Sequence, residues 1–309
     1  MQPTRPPTVH APLRTLLTQA QPAVLLEAHD ALSARIIERC GLSAIWASSL
    51  TMSAVWGTRD ANELTWTQVA DALEHMADVT SIPILADGDS GHGDFNTVRR
   101  FVRRLSARGI AGVCFEDQRF PKFNSLHGDD HELAPIPEFC GKIRAAKDAQ
   151  VGDDFVVVAR VEALIAGLGM SEALRRAEAY HDAGADALLI HSRRPDPSEV
   201  LQFAREWSGR SPLLIVPTTY SGTPISEYVG TGISGVIWAN HTLRAAITGM
   251  TALCTAVARH GSPLTSEPCI APVKEIFELT DLAELVEARS RYIEHGGRPL
   301  RERESVEHR

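Results

Sequence analysis

Cysteine is scarce and shows no pairing pattern. Cys40, Cys114, Cys140, Cys254 and Cys269 are odd in number and include no C-x-x-C. That excludes a visible disulfide framework or zinc ribbon and predicts reduced, mostly buried thiols. Long apolar runs are missing too. No stretch approaches the ~18 residues that would cross a bilayer, and the opening MQPTRPPTVH has no apolar signal core. A cytoplasmic protein without a membrane contact is expected. Excess positive charge is absent: the net charge is -8, and no Lys/Arg-rich run favours nucleic acid. Arg99, Arg100, Arg103 and Arg104 recur at helical spacing and read as a solvated helix face. No G-x-G-x-x-G follows the first apolar stretch, which argues against an open dinucleotide-binding sheet.

What is present is one repeating alternation. Eight short, nearly continuous apolar stretches are separated by segments of helical period: Val24–His29, Ala44–Ser49, Pro83–Asp89, Gly112–Asp117, Phe155–Glu162, Ala187–Ser192, Leu213–Thr218 and Gly235–Asn240. Hydrophobicity without alternation suits strands buried on both faces of a parallel sheet. The segment Asn96–Ala107, with Phe95, Val98, Phe101, Val102 and Leu105 on one stripe, and Ser171–Ala183, from a Ser cap to a Gly stop, read as helices. Eight such units in 309 residues predict an α/β fold, a closed (β/α)8 barrel of the TIM type. The barrel is expected over residues 12–262, after a disordered segment 1–11. An amphipathic helical extension over 263–293 and a charged tail, 294–309, follow. Within the extension, Val273–Ile293 breaks near Thr280-Asp281, and its face of Val273, Ile276, Phe277, Leu282, Leu285 and Val286 needs a partner. That partner is either its own barrel or a neighbouring subunit.

Barrel strands deliver their last side chains to one mouth, and here every strand ends in something polar. The ends are Glu27-Ala-His29-Asp30, Trp46-Ala-Ser48-Ser49, Asp87-Gly-Asp89-Ser90, Glu116-Asp117, Arg160 and Glu162, His191-Ser192-Arg193, Thr218, and Asn240-His241. Asp87, Asp89 and Glu116 come from adjacent strands. So many carboxylates repel unless a cation sits among them, some are protonated, or arginines and helix ends take them up. Glu116 on the neighbouring strand favours the cation. An all-oxygen set selects a hard ion, Mg2+ with Mn2+ as a substitute. The glycine-rich Asp89–Asp94 loop lacks the P-loop ending and reads as a tight turn close to a ligand. The run from Asp117 to Leu133 is too long for an ordinary turn. A Pro, a cation and an amide (Pro121, Lys122, Asn124) mark it either as an exposed polar loop or as a lid.

The strings EAHDALSARI, GTRDANELTWTQV, ADGDSGHGDFN, FEDQRFPKFNSLH, EFCGKIRAAKD, VARVEALIAGLG, DALLIHSRRPDP, VPT and VIWANH together resemble the phosphoenolpyruvate mutase family of the isocitrate lyase superfamily, over residues 12–293. The resemblance implies Mg2+, an isomerase that interconverts phosphoenolpyruvate and phosphonopyruvate, and a partner enzyme that consumes phosphonopyruvate. It also implies a homotetramer, a dimer of dimers, whose C-terminal helix is exchanged between subunits. Residue by residue, it makes Asp87 the direct metal ligand and gives Asp89 and Glu116 the metal's waters. Asp60 becomes the active-site nucleophile. Lys122 and Asn124 become the lid contacts to phosphoryl, with Arg160 and His191 beside the transferring group. Trp46 and Ser48 receive the carboxylate and keto oxygen, and Ser49, Ser125 and Asn240 complete the expected substrate contacts.

Three departures stand out. The family's mutases commonly read EDK where this chain has Glu116-Asp117-Gln118. Ala47-Ser48-Ser49 replaces Gly-Ser-Gly, and its two added side chains are expected to narrow the carboxylate pocket. Gly88 and Ser90 replace Ala and Thr. Phosphonopyruvate hydrolase is the alternative, although its lid tends to carry Thr at the position of Asn124. A carbon–carbon lyase of the isocitrate or methylisocitrate type needs a lid Cys, which Pro121–Ser125 lacks. A non-catalytic barrel leaves Asp60, Asp87, Lys122, Asn124 and Arg160 without a reason.

Overall fold

In the computed structural model, which describes residues 12–128 and 131–294, all eight apolar stretches are strands. They are β1 (Ala23–Ala28), β2 (Ala44–Ala47), β3 (Ile84–Asp87), β4 (Gly112–Glu116), β5 (Val156–Val161), β6 (Ala187–Ile190), β7 (Leu213–Ile215) and β8 (Gly235–Trp238). All pairings are parallel, and β8 returns to β1 to close the barrel. Each strand stops one to three residues before its apolar stretch does, because the polar residues at its end belong to the diverging loops.

Period-two alternation then decides what enters the lumen. Leu25, Trp46, Leu85, Cys114, Val158, Leu189, Leu214 and Ile237 form one inner cluster, floored by Leu13, Leu16 and Leu17. Leu13 and Leu16 belong to the short helix α1 (Leu13–Leu16). The intervening residues, Ile45, Ala86, Val113, Phe115, Ala159 and Ile190 among them, pack outward in a second cluster with the helices. Two positions beyond each inner apolar residue stand Glu27, Ser48, Asp87, Glu116, Arg160, His191, Val216 and Ala239. Most of that next layer is polar, and it forms the mouth.

The surrounding helices are α2 (Ala31–Arg39), α3 (Ser49–Val55), α4 (Trp66–Ala77), α5 (Phe95–Ala107), α6 (Ile136–Ala149), α7 (Gly169–Asp182) and α8 (Ser198–Trp207). On α5, Val98, Phe101, Val102 and Leu105 are buried, but Phe95 is exposed. It sits in the first turn, beyond the reach of the barrel wall. Arg99, Arg100 and Arg103 are exposed as expected, with Arg100 over the Trp66 ring. Helix α7 starts earlier than its Ser suggests. Its N-cap is Leu168, with no side-chain cap, and Ser171 lies inside the first turn. The cysteines are all free, but Cys40, Cys254 and Cys269 are exposed, and only Cys114 and Cys140 are buried. The expected excess of buried thiols is therefore wrong, because these three lie outside both apolar clusters.

The described residues up to Ile247 form one compact unit and those from Thr248 a second. Helix α9 (His241–His260) begins in the first, and its remainder opens the second, followed by α10 (Val273–Leu279) and α11 (Leu282–Arg289). The break between the last two falls at Thr280 and Asp281, where Asp281 takes a left-handed φ of 53°. The apolar face foreseen there is exposed at Val273, Ile276, Phe277, Leu282, Leu285 and Val286. The expected N-terminal segment 1–11 and the tail beyond Glu294 lie outside the described residues. Among the described residues no helix is long and apolar enough to cross a membrane.

Candidate active site

The mouth is organised around four carboxylates and two cations. Asp87 is the last residue of β3 and Glu116 the last of β4. The register sets Asp87 beside Cys114 and Glu116 beside Arg160, so both carboxylates and the guanidinium project into one lumen. Asp89 follows Asp87 in a left-handed turn, with φ 51°. Asp60 arrives from the loop between α3 and α4.

Lys122, from the long loop after β4, reaches down into this group. Its Nζ lies 2.9 Å from Asp60 Oδ1 and 2.6 Å from Asp89 Oδ1, and it donates to Ser49 Oγ at 3.0 Å. The Asn124 amide donates to the second Asp60 oxygen at 2.7 Å. The loop is thus folded over the mouth as the lid reading expects. Burial opposes the ammonium charge, but Asp89, Glu116, Asp60 and Asp87 hold the Lys122 pKa well above its usual range. Asp89 is buried as well, and Lys122 keeps its carboxyl below the ordinary value. Burial pushes Asp87 up, and the neighbouring Asp89 and Asp60 add to the effect. Burial likewise pushes Glu116 up to about 8, reinforced by Glu162 and Asp87.

Arg160 is the second buried cation. It donates to Glu162, to Ser125 Oγ at 2.8 Å and to His191 Nδ1 at 2.8 Å, and it stands 3.5 Å from Glu116. A guanidinium has no acceptor, and its 2.8 Å contact is shorter than the 3.4 Å one from the same Nδ1 to Glu162 Oε1, so Nδ1 is assigned as the acceptor and the proton to Nε2. Burial and Arg160 lower the His191 pKa, which keeps the ring neutral. Its Nε2 is buried without a partner. The result is a fixed donor on the wall of the cleft.

The cleft measures about 50 Å3, room for only a few water-sized groups. Trp46, Ser48, Asp60, Asp87, Lys122, Asn124, Ser125, Arg160, His191 and Asn240 line it, together with Thr218. Asp89, Glu116 and Ser49 stand behind this lining, and the Ser49 hydroxyl donates to Asp87 at 2.8 Å. Other polar strand ends serve the scaffold. Glu27 accepts from His29 Nδ1 at 2.7 Å and from the Thr242 and Leu243 amides, so it caps the start of α9. Asp30 caps α2 and Asp94 caps α5.

Several working residues had no role assigned from the sequence. Gln118 braces the lid from within: it donates to Ser125 Oγ at 3.1 Å and accepts from the Phe123 amide at 3.3 Å. Asn62 joins the lid backbone to Asp89. Arg193, from the loop after β6, donates to the carbonyls of Ser125 (2.8 Å) and Gly128 (2.6 Å). Asp117 points outward, away from the lumen, to Arg176 (3.0 Å) and Tyr180 (2.6 Å) of α7, and its carbonyl receives the Ala134 amide at 2.8 Å.

Among the described residues no three Asp, Glu, His or Cys side chains converge into a metal cage. A small hard cation that keeps most of its water needs no cage. The donors at Asp87, Asp89 and Glu116 are all oxygens, Glu116 Oε1 is buried without a partner, and burial, with neighbouring carboxylates, disfavours the charge on Asp87 and Glu116 that a cation would offset. These residues fit a divalent cation.

The chain matches the family model described as phosphoenolpyruvate phosphomutase over residues 13–258. It is 51% identical over 270 residues to the phosphoenolpyruvate phosphomutase of Streptomyces hygroscopicus, covering 87% of this chain and 86% of that one. It is 49% identical over 282 residues to that of Tetrahymena pyriformis, covering 91% and 94%. Among solved structures, the phosphoenolpyruvate phosphomutase of Streptomyces platensis subsp. rosaceus superposes with a TM-score of 0.89 at 43% identity, covering 91% of this chain and 98% of the other. A phosphonopyruvate hydrolase complexed with oxalate and Mg++ superposes with a TM-score of 0.85 at 38% identity, over 91% and 98%.

Proposed function

The chain belongs to the phosphoenolpyruvate phosphomutase family, and from that membership we propose that it interconverts phosphoenolpyruvate and phosphonopyruvate by moving one phosphoryl group between carbon and oxygen. The observation that carries the reading is the convergence of Lys122 and Asn124 from the lid on the two oxygens of Asp60, a few side chains from Arg160. That set offers cationic and amide donors for a phosphoryl group while closing the mouth against water.

Asp87, backed by Asp89 and Glu116, would hold a divalent cation, with Mg2+ the fitting choice. Bound there, it supplies Lewis-acid stabilisation of negative charge on the substrate's carboxylate and keto oxygens. Trp46, Ser48 and Asn240 line the wall that receives the pyruvate moiety. As the C–P bond breaks, Arg160, Lys122, Asn124 and the His191 Nε2–H hold the phosphoryl oxygens. The enolate left behind then presents oxygen in place of carbon to the same phosphorus. Asp60 faces the group throughout. The exposed apolar face of α10 and α11 supports exchange of this extension between subunits of a tetramer.

The test is turnover of phosphonopyruvate with Mg2+, followed by 31P NMR. Phosphoenolpyruvate as the product is expected. Inorganic phosphate alone would replace the reading with a hydrolase, and no turnover with any divalent cation would remove it.

A further inference from the structure

Asn62 has no place in the proposed chemistry, yet it makes two hydrogen bonds across the boundary that the lid must close. Its Nδ2 donates to Asp89 Oδ2 at 2.8 Å, and its Oδ1 accepts from the backbone amide of Lys122 at 2.8 Å. The two partners are 27 and 60 residues away in sequence. The residue sits in a left-handed turn with φ 57°, a conformation that Asn and Asp tolerate better than other side chains.

The geometry requires both ends of one amide. Asp89 Oδ1 is already engaged by the Lys122 ammonium at 2.6 Å, so Asn62 takes the other oxygen and fixes the carboxylate's rotation. With its own acceptor it fixes the backbone of the residue whose side chain makes that ion pair. Asp89, Asn62 and Lys122 thereby form a closed ring of contacts, side chain to side chain to backbone. An aspartate at this position would keep the acceptor for Lys122 but set an oxygen against Asp89.

We propose that Asn62 is a positioning residue that locks the lid in register with the acidic cluster, so that Lys122 and Asn124 meet Asp60 only when Asp89 is correctly turned. Its effect on the reaction rests on the function proposed above; its effect on the lid does not. Two bonds of ordinary strength correspond to roughly a tenfold or greater shift between closed and open lid.

The experiment uses Asn62→Gly, which keeps the left-handed turn and deletes both bonds, and Asn62→Asp, which keeps size and turn but reverses one bond. Limited trypsin digestion of the full chain, read by mass spectrometry, compares cleavage after buried Lys122 with cleavage after exposed Lys274. Both variants should raise the Lys122 cut by about tenfold relative to wild type, with the Lys274 cut unchanged. In phosphonopyruvate turnover, the ratio of inorganic phosphate to phosphoenolpyruvate should rise in parallel as water enters. A filler of the turn would leave Asn62→Asp indistinguishable from wild type in both readouts, and that result would overturn the proposal. Should wild type yield no phosphoenolpyruvate, the proposed function fails, and the tryptic comparison alone decides on Asn62.

Discussion

The ring of Phe115 fills the volume that a methyl group on Gly88 would need: a Cβ built there lies 2.6 Å from Phe115 Cε1 and 2.7 Å from Val113 Cγ2. The glycine that stands between Asp87 and Asp89 is therefore dictated by the strand next door. Gly88→Ala should destabilise the fold by about 1–3 kcal/mol through overpacking. Combining it with Phe115→Leu should recover part of that loss, a coupling of about 0.5–3 kcal/mol. Urea unfolding of the four proteins completes the cycle, and strict additivity would refute the pairing.

Asn124 contacts Asp60 at the surface of the cleft, with no part in either apolar cluster. Asn124→Ala should lower kcat by on the order of 100-fold and leave the melting temperature within a few degrees of wild type. Steady-state kinetics and a thermal melt measure the two effects separately. An unchanged kcat would remove the lid amide from the chemistry.

Glu116 is pushed up to about 8, so near neutrality it carries a proton that a bound cation would expel. Mg2+ binding at about pH 7 should release close to one proton, and affinity should climb as pH rises toward that value. Calorimetry in two buffers of different ionisation enthalpy counts the protons. Glu116→Gln should abolish the release while Asp87→Asn abolishes binding.

The Glu27–His29 pair beneath α9 gives a pH signature in stability. Burial opposes both charges, yet the bonds from His29, Thr242 and Leu243 hold Glu27 below its usual 4.5, and Glu27 holds His29 above its usual 6.5. The Glu27 contribution is complete above 4.5 and fades as pH falls through the lower folded value. The His29 contribution is complete below 6.5 and fades as pH rises through the higher folded value. Melting scans should show wild type losing stability relative to His29→Gln as pH rises above 6.5, with the difference largest between 4.5 and 6.5. Parallel curves across this range would refute it.

The barrel was legible because each strand is apolar on both faces, and the lumen because residues two apart share a face. Leu85 leads to Asp87, Cys114 to Glu116, and Val158 to Arg160. Asp60 was legible only through resemblance, and Lys122 and Asn124 stood out in the long loop but took their role from the resemblance, since loops carry no period. Asn62 escaped for a physical reason: its partners are fixed by the closed lid, and nothing in GTRDAN announces a bond to a residue sixty positions on. Gln118, which looked like a lost cation, is a brace within the lid. The exposure of Phe95 and of three cysteines was missed because composition says what prefers burial, whereas the wall decides where burial ends.

The carbonyl of Asp117 takes the Ala134 amide, and its carboxylate is held by Arg176 and Tyr180 from outside the lumen. Both feet of the lid therefore stand on one buried anchor that takes no part in the cleft. The anchoring of the lid and the chemistry of its tip are therefore carried by different side chains, Asp117 for the first and Lys122 and Asn124 for the second. A loop so footed can vary at its tip while the barrel that carries it stays as it is.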